Sequence, residues 1–464
     1  MNGTMLVFDL IQRPTYTNAY GDRAFAFLDQ AAQHDLANIL AINLIENADR
    51  TARDNWQNRQ LTNLLKHAHA RSAFWRKRMP SRTINSGIMK YLPVQRREDV
   101  RTQVDLEGSL VASDGNAPIS TYASTGSTGK PVKIYMSHEN GYYNVIRSLA
   151  QLFIDNLSLN ENLVRIVPPI IMANLDNASP LTVQKADSWA GRLGKVFRNG
   201  SSRMIVYRYV DNALINELLK EQVGYLQSPS QYVDILMRSG GIDLIKKLGI
   251  RLWFHLSDCR DPEIVKRLNE IGVPSLSNYS AAEIGPIAFE CRKHQGCFHV
   301  AHTNFLVECD DKLTVSHNGA SLGRLLITHL HSYATPIIRY DVGDFGQVEQ
   351  RCGCGHDGPT ISNLFGRGKH FLRLPDGKLR PFYLSTRLLQ QVVAFEECRI
   401  RQPDSETIKI EIGGRENLTL DEERKLKELI LKATDPGFII DIKAVKEIDW
   451  SSSPKRLFFS SSVA

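Results

Sequence analysis

Apolar positions in the first part of the chain recur at helical spacing. The segment FAFLDQAAQHDLANILAINLIENA contains neither proline nor glycine, and NWQNRQLTNLLKHAHARSAFWRKRM continues the same pattern. Residues three or four apart lie on one face of a helix. The pattern therefore predicts helices over residues 24 to about 80, and YLPVQRREDVR then predicts a loop followed by a new helix start.

From residue 120 the apolar pattern becomes that of strands alternating with helices. The runs VKIYMS, SRMIVYRYV and IRLWFHLS are typical of strands, and NALINELLKEQV, SQYVDILMRSG and DPEIVKRLNEIG lie between or after them as helical runs. GRLLITHL and TPIIRYDVGDFGQV then predict further strands and turns. Strands that alternate with helices indicate an α/β domain.

After Gly366 the pattern changes again. KHFLRLPDGKLRPF predicts a hairpin around Asp376-Gly377, and the rest alternates between strands and helices over about 100 residues, a usual domain size. Thr419 and Glu422 form a predicted capping box at a helix start. We therefore expect an α/β protein with a large N-terminal domain, residues 1–365, whose first 100 residues are helical. A small, mobile α+β domain, residues 366–464, follows it.

Composition and charge narrow the class of protein. The chain has 464 residues, and its N-terminus has neither a basic segment nor a long apolar core. No apolar stretch is long enough to span a bilayer, so we expect a cytoplasmic protein with no membrane partner. The net charge of +7 is scattered along the chain, which disfavours nucleic-acid binding. Nothing in the pattern fixes the oligomeric state.

A loop of small hydroxylated residues, glycines and one lysine is the first candidate for chemistry. Such a loop can present backbone N–H groups and a cation to phosphate. Its spacing differs from a Walker A loop, and Pro131 after the lysine prevents an immediate helix, so the loop joins two strands. A plain hairpin turn is the alternative interpretation. The loop residues are Ser124, Thr125, Gly126, Ser127, Thr128, Gly129 and Lys130.

Four further segments follow the loop in a fixed order. They are NYSAAEIG (278–285), RYDVGD (339–344), GRGKH (from 366) and SPKR (453–456). Together with STGSTGKP they resemble the motifs of the adenylate-forming superfamily, which includes acyl-CoA synthetases and the adenylation domains of peptide synthetases. YLPVQRREDVR, ECRKHQGCFHVAHTNFLVE and RCGCG further resemble the phenylacetate–CoA ligase and CapK-like branch.

The resemblance implies a two-step reaction. A small carboxylic acid, aryl or otherwise, attacks the α-phosphate of ATP to give an acyl-adenylate and pyrophosphate. A thiol, either CoA or the phosphopantetheine of an acyl carrier protein, then takes the acyl group. Transfer to an amine or a hydroxyl, as in polysaccharide or secondary-metabolite biosynthesis, is the alternative. A non-enzymatic zinc protein that binds nucleic acid is a third interpretation, which the nucleotide motifs disfavour.

The resemblance also assigns roles to single residues. The loop from Ser124 to Lys130 would hold the β- and γ-phosphates, and Glu283 would hold Mg²⁺. Tyr279 would lie against the adenine ring, and Asp344 would accept hydrogen bonds from the ribose hydroxyls. Each of these residues, taken alone, also fits an ordinary structural role.

The C-terminal part would supply the remaining groups. Arg367 would lie beside the ribose and phosphates, and Lys455 would bridge the substrate carboxylate and the α-phosphate. The small domain would rotate about Lys369. Two positions depart from the family pattern: Ser280 and Ala282 replace the usual glycine and hydroxylated residue of the second motif.

Cysteine and histidine cluster in two short segments. Cys291, His294, Cys297 and His299 fall close together, and Cys352 and Cys354 follow with His356. Thiolate and imidazole are zinc ligands, and a closed structural site needs four of them. Buried reduced thiols are the alternative. The CapK-like branch often carries zinc here, which favours a site of Cys291, His299, Cys352 and Cys354, with His294 or Cys297 able to replace His299.

The resemblance implies that HLSD (255–258) borders the nucleotide and acyl pocket. We expect the acyl pocket to draw on the helix of NGYYNVIRSLAQLF and on residues 253–255. Tyr142, Tyr143 and Trp253 are hints of an aromatic acid, although aromatic residues also fill ordinary cores.

Overall fold

The structure is a computed structural model of the chain. The residues that it describes are 30–79, 84–111, 120–123, 132–167, 181–195, 199–207, 211–256, 260, 262–281, 283–317, 320–366, 371–382, 384, 386–395, 397–449 and 459–462.

Helices begin and end as follows in the described chain. They are α1 (Gln30–Glu46), α2 (Arg50–Arg71), α3 (Ala73–Arg78), α4 (Arg97–Glu107), α5 (His138–Ile154), α6 (Asn212–Leu219), α7 (Ser230–Lys247), α8 (Pro262–Glu270), α9 (Thr386–Gln390) and α10 (Leu420–Ala433). Short 3₁₀ turns span Ser86–Tyr91 and Gly191–Lys195. Helix α7 is kinked at Gly241, where φ is 64°.

The strands follow the alternation that the sequence predicts after residue 120. They are β1 (Ser120–Ala123), β2 (Lys133–Met136), β3 (Leu163–Val167), β4 (Leu181–Ala186), β5 (Ser202–Tyr207), β6 (Gly224–Ser228), β7 (Ile250–His255), β8 (Ser275–Ala281), β9 (Gly285–Glu290), β10 (Phe298–Val300), β11 (Phe305–His317), β12 (Ala320–His329), β13 (Tyr340–Glu349), β14 (Thr360–Phe365), β15 (Phe371–Arg373), β16 (Leu379–Pro381), β17 (Glu397–Gln402), β18 (Thr407–Gly413), β19 (Ile439–Val445) and β20 (Phe459–Ser461).

Twelve strands form one mixed sheet. Its order is β11-β12-β13-β14-β10-β9-β8-β7-β6-β3-β5-β4. One half of the sheet is parallel and contains β5, β3, β6, β7 and β8. In the other half, which runs in sheet order from β9 through β10, β14, β13 and β12 to β11, neighbouring strands pair antiparallel. Helices α6, α7 and α8 supply crossovers of the parallel half, as parallel pairing requires. Strand β8 therefore belongs to both halves, and its carboxyl end lies where the two arrangements meet.

The first helices are fixed to the sheet through a buried ion pair. Arg147 on α5 donates from Nε and Nη2 to the two oxygens of Glu46 on α1, at 2.9 Å each. The hydroxyl of Thr303 also donates to Glu46, at 2.8 Å. Burial would raise the pKa of Glu46, but Arg147 and Thr303 hold it below its usual value. The pair thus fixes the position of α5 against α1 and the turn before β11.

The C-terminal residues build a second core. Strands β19-β18-β17-β20 form a four-stranded sheet, and α10 packs Leu426 and Ile430 into the apolar cluster of this sheet. The predicted hairpin is confirmed, since β15 and β16 pair around Gly377, whose φ is 82°. The predicted capping box is also confirmed: Thr419 accepts from the Glu422 N–H, and Glu422 accepts from the Thr419 N–H.

The fold class predicted from the sequence is confirmed. A large sheet flanked by helices is followed by a smaller α+β portion with its own core. Among the described residues, no helix combines the length and the apolar character that crossing a membrane requires.

Candidate active site

A buried glutamate lies just after the carboxyl end of β8. Glu283 has 1% of its surface exposed. Its Oε1 accepts a hydrogen bond from the hydroxyl of Tyr340 at 3.0 Å and lies 3.5 Å from a guanidinium nitrogen of Arg97. Its Oε2 is buried without a hydrogen-bond partner among the described residues. A buried carboxylate oxygen without a partner is costly, and a hard cation such as Mg²⁺, which binds oxygen, would satisfy it.

Two of the sequence motifs meet at a tyrosine–aspartate contact. The hydroxyl of Tyr279 on β8 donates to Oδ2 of Asp344 on β13 at 2.8 Å, although the residues are 65 positions apart. Both side chains are buried. Gly343, with φ of 91°, precedes Asp344, and its N–H donates to Asp341. Tyr279 and Asp344 are therefore brought together, and Tyr279 shares a core cluster with Tyr340, which contacts Glu283.

The segment that contains Arg97 is held against β13 by a glutamine. The Gln95 N–H donates to the Arg339 carbonyl at 3.0 Å, and the Asp341 N–H donates to the Gln95 carbonyl at 2.9 Å. The Gln95 side chain also accepts from the N–H of Ile338 at 3.0 Å. Helix α4 then begins at Arg97, which places this guanidinium beside Glu283. The motifs assign no role to Arg97 or Tyr340, although both lie in segments that carry the resemblance.

The strands that flank the predicted phosphate loop pack against the same core as Tyr279. Strands β1 and β2 pair antiparallel, with Ala123 opposite Lys133. Ile134 and Met136 of β2 belong to the core cluster that contains Tyr279. Strand β2, which follows the loop in the chain, is therefore anchored beside β8.

Ten predicted site residues lie outside the described part of the chain. They are Ser124, Thr125, Gly126, Ser127, Thr128, Gly129, Lys130, Arg367, Lys369 and Lys455.

Four of the predicted metal ligands converge. The ligand atoms of Cys291, His299, Cys352 and Cys354 all lie within 4.8 Å of one another. Cys354 Sγ lies 3.5 Å from Nε2 of His299, and the His356 N–H donates to Cys354 Sγ at 3.4 Å. Ligand atoms of a tetrahedral zinc site, at about 2.0–2.3 Å from the metal, stand at comparable separations. The chemistry and the spacing of these four donors therefore fit zinc.

The two alternative ligands lie at the edge of this cluster. Cys297 Sγ lies 3.5 Å from Cys352 Sγ, and the His294 ring packs against Gly353, where an added Cβ would lie 2.7 Å from it. The ring of His299 stacks on that of His356 with centroids 4.1 Å apart. Burial lowers the pKa of His299 to about 3, so its ring is neutral, the form that coordinates metals.

The turn between Cys291 and Cys297 is hydrogen-bonded to residues near the candidate active site. Glu290, at the end of β9, accepts from the N–H groups of Gly296 and Ser277, both at 2.8 Å, and from Arg260 at 2.6 Å. Arg292 donates to the carbonyl of Asp155 at the end of α5, at 2.5 Å. The turn between Cys291 and Cys297 thus supports both β8 and α5.

A cavity of about 410 Å³ lies between α5 and the face of the parallel strands. Its lining includes Asn144, Asn278 and Pro286 near Glu283, and Arg165 and Asp155 farther away. Strand residue Phe254, within the predicted segment 253–255, lines it. Trp253 instead is fully buried in the core beneath the sheet, and its indole N–H donates to Ser228. The remaining aromatic hints, Tyr142 and Tyr143, are not among the cavity-lining residues.

Comparison with solved structures identifies similar folds. The chain superposes on 2-hydroxyisobutyryl-CoA ligase in the postadenylation state, in complex with 2-HIB-AMP, with a TM-score of 0.62 and 13% identity, covering 88% of this chain and 89% of that one. The same ligase in an open conformation, with 2-HIB-AMP and CoA, gives a TM-score of 0.53 at 13% identity and covers 87% and 91%. The GH3.15 acyl acid amido synthetase gives 0.54 at 13% identity, covering 93% and 90%.

These likenesses show the fold, which the chain shares with that CoA ligase and that amido synthetase. No family profile matches the chain. No curated protein matches it either.

Proposed function

We propose that the protein activates a small carboxylic acid with ATP, forming an acyl-adenylate and pyrophosphate, and then transfers the acyl group to a thiol. The observation that carries the proposal is the contact of Tyr279 with Asp344 beside the buried Glu283. It joins two motifs of the adenylate-forming superfamily in space. The likeness in fold to a CoA ligase and an acyl acid amido synthetase supports the same reaction class.

The nucleotide would be bound by residues of the large body. The ring of Tyr279 would lie against adenine while its hydroxyl orients Asp344, whose carboxylate would accept hydrogen bonds from the ribose. Ser124, Thr125, Ser127, Thr128 and Lys130 would hold the phosphates. Mg²⁺, held by Glu283 Oε2, would neutralise phosphate charge. Catalysis of this kind depends on positioning and charge compensation.

Arg97 and Tyr340 would position Glu283 rather than touch the substrate. Both contact Oε1, which leaves Oε2 directed to another partner. A guanidinium and a phenol on one oxygen fix the rotamer of the carboxylate. We infer that they hold the glutamate ready for the cation.

The C-terminal portion would act as a mobile cap. We propose that residues 1–365 form the adenylation domain and that 366–464 rotate about Lys369. The separate core of the C-terminal sheet supports this division. In the closed arrangement Arg367 would contact the ribose and phosphates, and Lys455 would bridge the acid and the α-phosphate. Rotation would then admit the acceptor.

The acceptor of the acyl group has two candidates. CoA or a carrier-protein phosphopantetheine is our first choice, because the motifs resemble the phenylacetate–CoA ligase and CapK-like branch. An amine or hydroxyl acceptor is the second candidate, and the likeness to an acyl acid amido synthetase favours it. Assays of the adenylated enzyme with CoA, with a loaded carrier protein and with amines would separate these acceptors.

We further propose a structural zinc bound by Cys291, His299, Cys352 and Cys354. The convergence of their donor atoms supports this ligand set. The metal would fix the turn that bonds to Glu290, and so stabilise the wall of the acid site. Its role would be structural, since four protein ligands leave no position open for substrate.

Acid-dependent exchange of labelled pyrophosphate into ATP tests the proposed reaction. Purified protein with Mg²⁺ should catalyse exchange when a suitable aryl or alkyl carboxylic acid is added, and Glu283→Gln should reduce it at least tenfold. Arg238→Gln, on the exposed face of α7, is a matched control that should retain the wild-type rate. Exchange that proceeds equally without any acid, or none over a broad panel of acids, would contradict the proposal.

A further inference from the structure

The cavity beneath α5 opens toward the candidate active site. Asn144 lies so close to Gly285 that an added Cβ there would come within 2.7 Å of the Asn144 amide. Asn278, which also lines the cavity, immediately precedes Tyr279. A volume of about 410 Å³ is suited to a small molecule. If the proposed function holds, this cavity is the space into which the acyl group extends from the reacting carboxylate.

Most of the cavity wall is apolar. Helix α5 contributes Leu149 and Leu152, and the strands contribute Phe254, Leu276 and Phe289. Such a wall favours an alkyl or aryl spacer because burying each methylene gains about 0.8 kcal/mol. An apolar wall alone would be sufficient to bind the tail of a purely apolar acid.

One cation on the wall, Arg165, has no ion-pair partner in the part of the chain that the structure describes. Arg165 on β3 lies beside Gln227 on β6, since these residues are register partners, and its Nε donates to Gln227 Oε1 at 2.5 Å. No carboxylate among the described residues lies within ion-pair distance of Arg165. The Arg165 side chain is solvent-accessible and lines the cavity, so an anion in the cavity can reach it. Its guanidinium offers a fork suited to a carboxylate.

The two acidic groups on the wall already have cationic neighbours. Glu290 is paired with Arg260 and accepts two backbone N–H groups. Asp155 is hydrogen-bonded to Gln151 and lies near Arg292 and Arg147, and burial raises its pKa to about 6. Glu290 therefore needs no cationic ligand, and burial disfavours the charged form of Asp155. The charge that a ligand would complement is that of Arg165.

We propose that the acid is a dianion, with a second anionic group at the far end of an apolar spacer, bound by Arg165 and Gln227. The first carboxylate is the one that reacts beside Glu283. Strands β3 and β8 are three strand spacings apart, or about 14 Å at ~4.8 Å per spacing. Because the arginine side chain covers part of this width, the spacer is a short alkyl chain or a single aromatic ring.

The test compares dicarboxylic acids with acids in which a methyl replaces the far carboxylate. The pairs are adipate with hexanoate, suberate with octanoate, and 4-carboxyphenylacetate with 4-methylphenylacetate. In acid-dependent pyrophosphate exchange, the best dicarboxylate should exceed its methyl partner about tenfold or more in kcat/KM. Arg165→Gln should remove that preference, lowering kcat/KM for the dicarboxylate and leaving the methyl acid within about twofold.

A matched control uses another arginine of the same sheet. Arg251→Gln changes an exposed residue of β7 that pairs with Glu161 and is not among the cavity-lining residues, so the preference should persist. Equal or better use of the methyl acids by wild-type protein would overturn the inference and leave the proposed function intact. An equal loss for both acids in a folded Arg165→Gln protein would also overturn it. Failure of every acid in exchange would remove the proposed function and this inference together.

Discussion

Removal of one hydroxyl at Tyr279 isolates the contact that joins the two nucleotide motifs. Tyr279→Phe keeps the ring, which would lie against adenine, and deletes the hydrogen bond of 2.8 Å to Asp344. Both side chains are buried, so water cannot readily replace the lost donor. The substitution therefore leaves the Asp344 carboxylate less well oriented without changing the shape of the core.

The expected magnitude has two parts. A hydrogen bond to a charged acceptor contributes about 1.5–3 kcal/mol, so the free energy of unfolding should fall by about that amount. Because the bond is already present before ATP binds, its removal weakens ATP binding only by the cost of ordering the freed Asp344 side chain. That cost is about 0.5–1.5 kcal/mol, which raises the Kd for ATP about 2- to 13-fold.

Urea unfolding and ATP titration by calorimetry measure the two parts separately. Tyr232→Phe is the matched control, because Tyr232 is equally buried and its hydroxyl donates to the Tyr207 carbonyl at 2.6 Å in a different core. The control should lose about 0.5–1.5 kcal/mol of stability, as for a neutral hydrogen bond, with no change in ATP affinity. An unchanged Kd for ATP in Tyr279→Phe would refute the proposed orientation of Asp344.

Three further predictions concern the metal, the cap and pH. Wild-type protein should contain about one zinc per chain by plasma emission. Cys354→Ser should lose the zinc, and the control Cys309→Ser should retain it. Full zinc content in Cys354→Ser would exclude this ligand set. Lys455→Ala should lower pyrophosphate exchange at least 100-fold while sparing acyl transfer from added acyl-adenylate. Substitution of the exposed Lys446 by alanine is the control. An unchanged exchange rate in Lys455→Ala would remove Lys455 from the chemistry. Burial lowers the pKa of His255 to about 3, below its unfolded value. The stability that the neutral ring supports is therefore lost as pH falls below about 6.5, by ~1 kcal/mol at pH 5.5. Urea unfolding of His255→Gln should show a correspondingly weaker pH dependence, and an unaltered dependence would contradict this.

Local patterns in the sequence were sufficient for most of the secondary structure. The Asp376-Gly377 turn and the capping box at Thr419 involve neighbouring residues, so their chemistry determines their conformation. Strand β2 was likewise predicted from its alternation, and the predicted helices are found in α1 and α2. Such features depend on a few consecutive side chains and hardly on the rest of the fold.

The site was predictable only where a motif named its residues. Tyr279, Glu283 and Asp344 were chosen by resemblance, and the four donors at 291, 299, 352 and 354 by ligand type. The contact of Arg97 with Glu283 spans 186 positions and depends on the pairing of Gln95 with β13. No local pattern reports such a contact.

Arg165 illustrates the same limit for the cavity. In the sequence it only interrupts an apolar stretch, and its significance comes from Gln227, its register partner on a strand that follows much later. Whether a charged residue of a strand faces solvent or a cavity depends on the helix that covers the sheet. Helix α5 was predicted as a helix, but its position over β3 and β6 is a tertiary feature.

The most direct test of the central claim follows an oxygen atom. If a carboxylate oxygen of the acid attacks the α-phosphate, transfer of the acyl group must leave that oxygen on AMP. With an acid labelled with ¹⁸O in its carboxylate and a complete assay of ATP, Mg²⁺ and acceptor, mass spectrometry should find one ¹⁸O in the AMP formed. Unlabelled AMP, or ADP and phosphate as the nucleotide products, would contradict acyl-adenylate formation at this site.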